Sequence, residues 1–246
     1  MRVAVVLPAY NEAATVADLA SRAWRQAGHV IVVDDGSHDG TPEKLAGLPV
    51  TVLRHVQNRG KAASLWSGAN HAVAMGADVV ITLDADGQHF PEDIPRFIET
   101  AKRYPGRIIL GVRRRGRASM PRARRFGNWM ADFWISWAAG YKIHDSQSGF
   151  RLYPSALFQG VKVPHDRRNG FVYESEILIE AARNGVYSVP IAIEAVYPAH
   201  ARRSHYRPFL DTWRVVRMVA WKLASRGFYP RGLIESIRSR DSGIYN

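Results

Sequence analysis

Asp84, Asp86 and Gln88 stand at a spacing of two in ITLDADGQHFPEDI, residues 81–94, directly after an apolar run. Alternate residues of an extended segment share one side, so carboxylates placed there repel each other unless a cation lies between them. A hard divalent ion is the natural candidate. Pro91, Glu92 and Asp93 need no such account, because they suit the first turn of a helix. His89, a lone histidine at that helix start, reads as polar surface. Three further polar stretches precede this one: PAYNE (8–12), DDGSHDGT (34–41) and QNRGKAAS (57–64). Each alone is ordinary turn and cap chemistry. Their order and placement after successive apolar runs make them a set.

The elements that must position this set are legible as apolar runs alternating with helical patterns. VAVVL (3–7), VIVV (30–33), VTVL (50–53), VVITL (79–83) and IIL (108–110) read as strands. Helical patterns fall near 12–26, at 61–75 and from about 92, with a short helix opened by Thr41-Pro42. Continuous β-branched runs between helices imply a mostly parallel sheet covered on both faces, the doubly wound α/β pattern. Ligands of such folds bind outside the carboxyl ends of the strands, where all four polar stretches lie. Beyond residue 112 the pattern loosens into an arginine tract, an aromatic segment at 126–141, HDSQSGFRLYP (144–154), a helix at 170–185, a strand near 186–197 and a basic tail. Neither a repeat nor a low-complexity linker divides the chain. The expected organisation is one domain over 1–204, with halves meeting near 112–113, and a basic amphipathic helical tail over 205–246.

Composition narrows the function classes. The 246 residues are 46% hydrophobic and 23% charged, an ordinary globular balance that argues against wholesale disorder. Cysteine is absent, which excludes disulfides, thiolate metal sites and a cysteine nucleophile. The N-terminal apolar run ends at Pro8, short of a secretory signal, and no segment reaches the length of a membrane span. The formal charge is +12, and in RRRGRASMPRARR (113–125) seven of thirteen residues are Arg with no acid among them. That density calls for an anionic partner: nucleic acid, lipid headgroups or phosphates.

LPAYNE, VVDDGSHDGT, NRGKAAS, LDADGQH and DSQSGFRLY, in this order over about residues 1–200, resemble family 2 glycosyltransferases of the GT-A fold. The likeness is greatest to the dolichyl- and polyprenyl-phosphate sugar synthases. It implies a nucleotide-diphosphate sugar, UDP- or GDP-linked, as donor. Of Asp34 and Asp35, it makes Asp35 the acceptor of a hydrogen bond from the nucleobase, with Pro8, Ala9, Tyr10 and Glu12 as the opposite wall and Glu12 near the ribose. It makes Asp86 the direct metal ligand, with Asp84 towards sugar or metal and Gln88 completing the shell. Oxygen-only ligands favour Mg²⁺ or Mn²⁺ over zinc. The glycine turn before Lys61 runs into a helix start, whose free N–H groups and ammonium suit phosphate or sugar oxygens. An ordinary solvated lysine is the competing reading.

On the acceptor side, DSQSGFR makes Asp145 and Arg151 candidates. A hydroxyl acceptor needs a carboxylate base, whereas a phosphate acceptor is already an anion and needs arginines. The arginine tract favours phosphate, with Arg113, Arg114 and Arg117 as clamps and Arg122, Arg124 and Arg125 facing headgroups. Glu174 and Glu176 serve either the helix start or the acceptor. The processive synthases' Gln/Arg-x-x-Arg-Trp signature is replaced by RFGNW with Asn128, which points to single transfer. A Gly-x-Ser-Lys element is replaced by ARRSHYRPF, leaving Arg203 and His205 as acceptor-side candidates.

Phe126, Trp129, Met130, Phe133, Trp137 and Tyr141 recur at three- and four-residue spacing, an expected interfacial helix. The tail adds a second, with Leu210, Trp213, Val216, Ala220 and Leu223. The expected function is metal-dependent, inverting transfer of one sugar to a lipid-linked acceptor, above all polyprenyl phosphate. The setting is peripheral, on an anionic membrane surface at its cytoplasmic face, without nucleic acid. Competing readings are transfer to a hydroxyl acceptor, a sugar nucleotidyltransferase, whose glycine- and arginine-rich first loop PAYNE does not supply, and a non-catalytic membrane or nucleic-acid module.

Overall fold

The computed structural model describes residues 1–113, 122–165, 170–194 and 208–238. Seven strands form one sheet in the order β3-β2-β1-β4-β6-β5-β7. They are β1 (Val3–Ala9), β2 (Val30–Asp34), β3 (Thr51–Arg54), β4 (Val79–Thr82), β5 (Ile108–Arg113), β6 (Arg151–Pro154) and β7 (Ser188–Ile193). The helices are α1 (Val16–Ala27), α2 (Lys61–Ala74), α3 (Ile94–Arg103), α4 (Arg122–Ala139), α5 (Ala156–Gly160), α6 (Gly170–Arg183), α7 (Pro208–Ala224) and α8 (Pro230–Arg238).

The β-branched runs form strands because both faces are covered. Val5, Leu7, Val30, Val32 and Ile81 pack with α1 and α3 on one face, and Val6, Ile31, Val33 and Val80 with α2, α4 and α6 on the other. Gly68 lets α2 lie against β1, since a Cβ there would fall 2.4 Å from Val6 Cγ1. Pro8 is tolerated inside a central strand because β4 leaves the ladder before reaching it: the register ends at Val6 opposite Thr82.

The sheet departs from the expected parallel pattern at β6. This four-residue strand, within a segment read from the sequence as a site motif, pairs antiparallel with both β4 and β5. Its fully buried Arg151 hides the apolar run that would otherwise announce a strand. The helical tail packs on the rest, α7 against α6 and α4, and α8 against α4.

The aromatic stripe of α4 is covered at its C-terminal end. Trp137 and Tyr141 are partly buried against the core. The Trp137 indole N–H donates to the Tyr229 carbonyl at 3.1 Å, and the Tyr141 hydroxyl meets Ser188 Oγ at 3.0 Å. Trp129 alone of the stripe's tryptophans is well exposed, and the Phe126 side chain lies outside the described residues. Among the described residues no helix is long and apolar enough to cross a membrane.

Candidate active site

Four strand ends meet at one rim. The loops after β1 and β2 are fastened to each other by side chains that accept backbone N–H groups: Asn11 N donates to Ser37 Oγ, Glu12 N to Thr41 Oγ1 and His38 N to Asn11 Oδ1, each at 2.8 Å. Asn11 adopts the left-handed conformation, φ 56°, that an Asn in a turn tolerates. The end of β1 and the loop after it, Pro8 to Glu12, thus stand beside DDGSHDGT.

Asp34 and Asp35 hold this rim together. Asp34 Oδ1 accepts Ser37 N at 3.0 Å, and the Arg54 guanidinium lies 3.2 Å from Oδ2 as an ion pair without hydrogen-bond alignment. Asp35 accepts the backbone N–H groups of Arg59 (2.9 Å) and Gly60 (2.7 Å) and contacts His55 Nδ1 at 2.7 Å. His55 in turn meets Ser67 Oγ at 3.1 Å. A carboxylate offers about four acceptor positions, and three of those on Asp35 are taken. His55 is a site residue that the sequence reading missed, since a lone His after a strand carries no distinctive spacing.

Lys61 is not an ordinary solvated lysine. Its ammonium sits 2.7 Å from Asp84 Oδ1 and 3.0 Å from Glu174 Oε2. Burial opposes its charge, but Asp84 and Glu174 outweigh burial and raise its pKa above the ordinary lysine range. Burial likewise works against the Asp84 carboxylate, and Lys61 overrules it, holding Asp84 below the usual range. Asp84 is pinned from behind as well: a Cβ on Gly149 would lie 2.3 Å from Asp84 Oδ2, so only glycine permits this approach. Among the described side chains, the cation beside Asp84 is the chain's own ammonium.

Asp86 differs. Its Oδ1 accepts Gln88 N at 3.0 Å, so Gln88 enters through its backbone. Burial, then the neighbouring Asp84 charge, push the Asp86 carboxyl up to about 6, the signature of a group short of a positive partner. Among the described residues no three His, Cys, Asp or Glu side chains converge as a metal cage. The donor set fits a divalent ion that takes Asp86 from the protein and its remaining oxygens from a bound diphosphate and water. His89 is buried rather than surface, its ring 5.7 Å from Phe150, and burial lowers its pKa to about 4.

The acceptor-side residues are placed differently from expectation. Asp145 accepts Arg113 N at 3.0 Å, Nε at 2.8 Å and a terminal guanidinium nitrogen at 2.5 Å, both residues being buried. The expected base and the expected clamp thus neutralise each other. Arg151 is fully buried and donates to the carbonyls of Ser146 and Ser148 at 2.7 Å, to the Glu174 carbonyl and to the Tyr153 hydroxyl. It shapes the loop 145–149 and cannot reach an acceptor, because every arm is engaged inside the protein. Asp132 of α4 accepts Ser146 N at 2.8 Å and Asp145 N at 3.1 Å. Glu176 pairs with Lys222 at 2.7 Å and holds α7, whereas Glu174 belongs to the site. Arg114, Arg117, Arg203 and His205 lie outside the described residues, as do the side chains of Arg122, Arg124 and Arg125.

The glycosyl transferase family 2 model matches residues 4–161. The UDP-N-acetylglucosamine–dolichyl-phosphate N-acetylglucosaminyltransferase of Methanococcus voltae is 28% identical over 220 residues, covering 80% of this chain and 86% of that protein. The undecaprenyl-phosphate mannosyltransferase of Micrococcus luteus is 27% identical over 237 residues, covering 92% and 96%. The crystal structure of Mycobacterium tuberculosis glucosyl-3-phosphoglycerate synthase with Mn²⁺, UDP and glucosyl-3-phosphoglycerate superposes with a TM-score of 0.64 over 91% of this chain and 79% of that one. At 21% identity that likeness is one of fold. Since the family model spans more than half of the chain, and its strand ends gather the carboxylates described above, the protein belongs to glycosyl transferase family 2 and is a glycosyltransferase.

Proposed function

We propose that this protein transfers one sugar, with inversion, from a nucleoside-diphosphate sugar to a polyprenyl phosphate at the cytoplasmic face of an anionic membrane. The observation that carries the choice of acceptor is the Arg113–Asp145 pair. A hydroxyl acceptor must lose its proton to a base, and the acceptor-side carboxylate expected to serve is neutralised by a buried guanidinium. A phosphate oxygen needs no base. The two dolichyl- and undecaprenyl-phosphate relatives support the same reading along most of their length.

In this reading the nucleobase lies between the PAYNE wall and Asp35, which offers its remaining acceptor position. The diphosphate extends towards Asp86, where a bound Mg²⁺ or Mn²⁺ would neutralise the charge that collects on the leaving group. Lys61, Asp84 and Glu174 form the floor on which the sugar rests. The acceptor phosphate oxygen bonds to the anomeric carbon as the bond to the diphosphate oxygen breaks, so one displacement inverts the centre and releases the nucleoside diphosphate. Residues 1–204 act as the catalytic unit and 205–246 as its helical extension.

The test is transfer from a panel of UDP- and GDP-sugars, with and without Mn²⁺, to a short prenyl phosphate and to the matching prenyl alcohol. Glycosylation of the phosphate alone, with inverted configuration by NMR, is expected. Glycosylation of the alcohol alone, or retention, overturns the reading.

A further inference from the structure

Among the described residues, exposed apolar side chains gather along the C-terminal helices. Trp213 (56% exposed), Val216 (55%) and Trp221 (72%) lie on α7, Phe228 (67%) in the turn after it, and Ile237 (69%) on α8. None of this exposure comes from loose docking. The inner face of α7 is fixed by buried Val219 and Leu223 and by Lys222, whose ammonium lies 2.7 Å from both Glu176 and Glu180. On α8, Gly232 and Ser236 are buried while Ile234 and Ile237 are turned outward. Each helix therefore has a satisfied inner stripe and a second apolar stripe that the fold leaves in water, where it carries a standing cost.

The charges among these side chains identify what covers them. Arg217, Arg226, Arg231 and Arg238 are exposed along the same two helices and their turn. The Arg217 guanidinium lies 4.9 Å over the Trp213 ring. Glu235 is already paired with Arg231 at 2.7 Å. A second copy of so cationic a surface would repel the first. Tryptophans beside arginines, on helices too polar to span, are instead the composition that partitions into the headgroup layer.

We propose that the outward stripes of α7 and α8, joined at Phe228, are the surface by which the protein seats itself on an anionic bilayer, in place of the aromatic stripe of α4. This inference rests on the lipid-linked acceptor for its purpose, but its test does not depend on transfer. The full chain and its Trp221→Ser/Ile237→Ser variant are sedimented with phosphatidylcholine vesicles with and without phosphatidylglycerol. Both side chains are largely exposed, so the variant is expected to keep the wild-type unfolding midpoint. It is expected to lose about tenfold or more in partitioning to anionic vesicles, as two interfacial side chains no longer bury apolar area. Trp24→Ser, on α1 across the sheet, is expected to bind as wild type. Vesicle binding by the double variant equal to wild type overturns the proposal. So does a wild-type chain that ignores vesicles and sediments as a dimer which the double variant dissociates, since the stripes would then cover a second copy. Failure of prenyl-phosphate glycosylation with vesicle binding intact would count against the proposed reaction alone.

Discussion

Between β1 and β2 the chain is fastened by several neutral, separable hydrogen bonds, from Ser37, Thr41 and Asn11 to backbone N–H groups. Between α4 and β6 it is fastened by buried charges: Arg151 gathers three carbonyls, Arg113 locks Asp145, and Asp132 holds the N–H groups of residues 145 and 146. The first arrangement distributes the work and the second concentrates it. Many weak fastenings can be lost one at a time. A loop that must present a fixed floor suits a few strong ones, provided that every buried polar arm finds a partner.

The largest effect that could break this comparison is Arg151→Met. Removing one guanidinium orphans buried acceptors from three segments, and unfolding in urea should show a loss of about 4 kcal/mol or more. A loss under about 1 kcal/mol would show that the acceptor loop is not concentrated on this residue. Next is Asp86→Asn, which tests the donor side by function: metal-dependent stabilisation by a nucleotide sugar should vanish and transfer fall about 10²- to 10³-fold. Its unfolding midpoint without ligand should stay near wild type, because Asp86 gives the fold one backbone contact.

His89 sets a smaller, pH-dependent effect at the seam between the two regions. Burial takes its imidazole from 6.5 in the unfolded chain down to about 4 in the fold. The folded state therefore binds fewer protons between those values, and its stability is full above the unfolded pKa and lost as pH falls towards 4. Wild type should lose about 3 kcal/mol across that window relative to His89→Leu, measured by urea titrations at each pH. The smallest effect is Ser37→Ala, at about 1 kcal/mol, because one neutral bond among several is removed. A cost comparable to that of Arg151→Met would erase the contrast.

The donor region was legible in the sequence because its strands are unbroken β-branched runs and its loops end them with turn chemistry. VAVVL, VIVV and VVITL became β1, β2 and β4, and the polar stretches after them reached one rim. The acceptor region was not, for a physical reason visible at Arg151. A site arginine and a buried organising arginine are the same letter, and what separates them is whether the partners are a ligand or the loop's own carbonyls. Asp84 shows the same limit: its spacing from Asp86 announces a cation, but that spacing could not reveal the partner Lys61, 23 residues away. The aromatic stripe of α4 carried a sound period, but the period could not tell that its C-terminal end packs against the core and Tyr229 while Trp129 stays exposed.

The reversed strand β6 has one more consequence. In a parallel sheet the loops that reach the rim follow their strands, but an antiparallel strand starts where its neighbours finish, so here the loop ahead of β6 arrives beside the end of β4. The rim is thereby built from two separate stretches of chain, the loops of the first hundred residues and the segment that leads into β6.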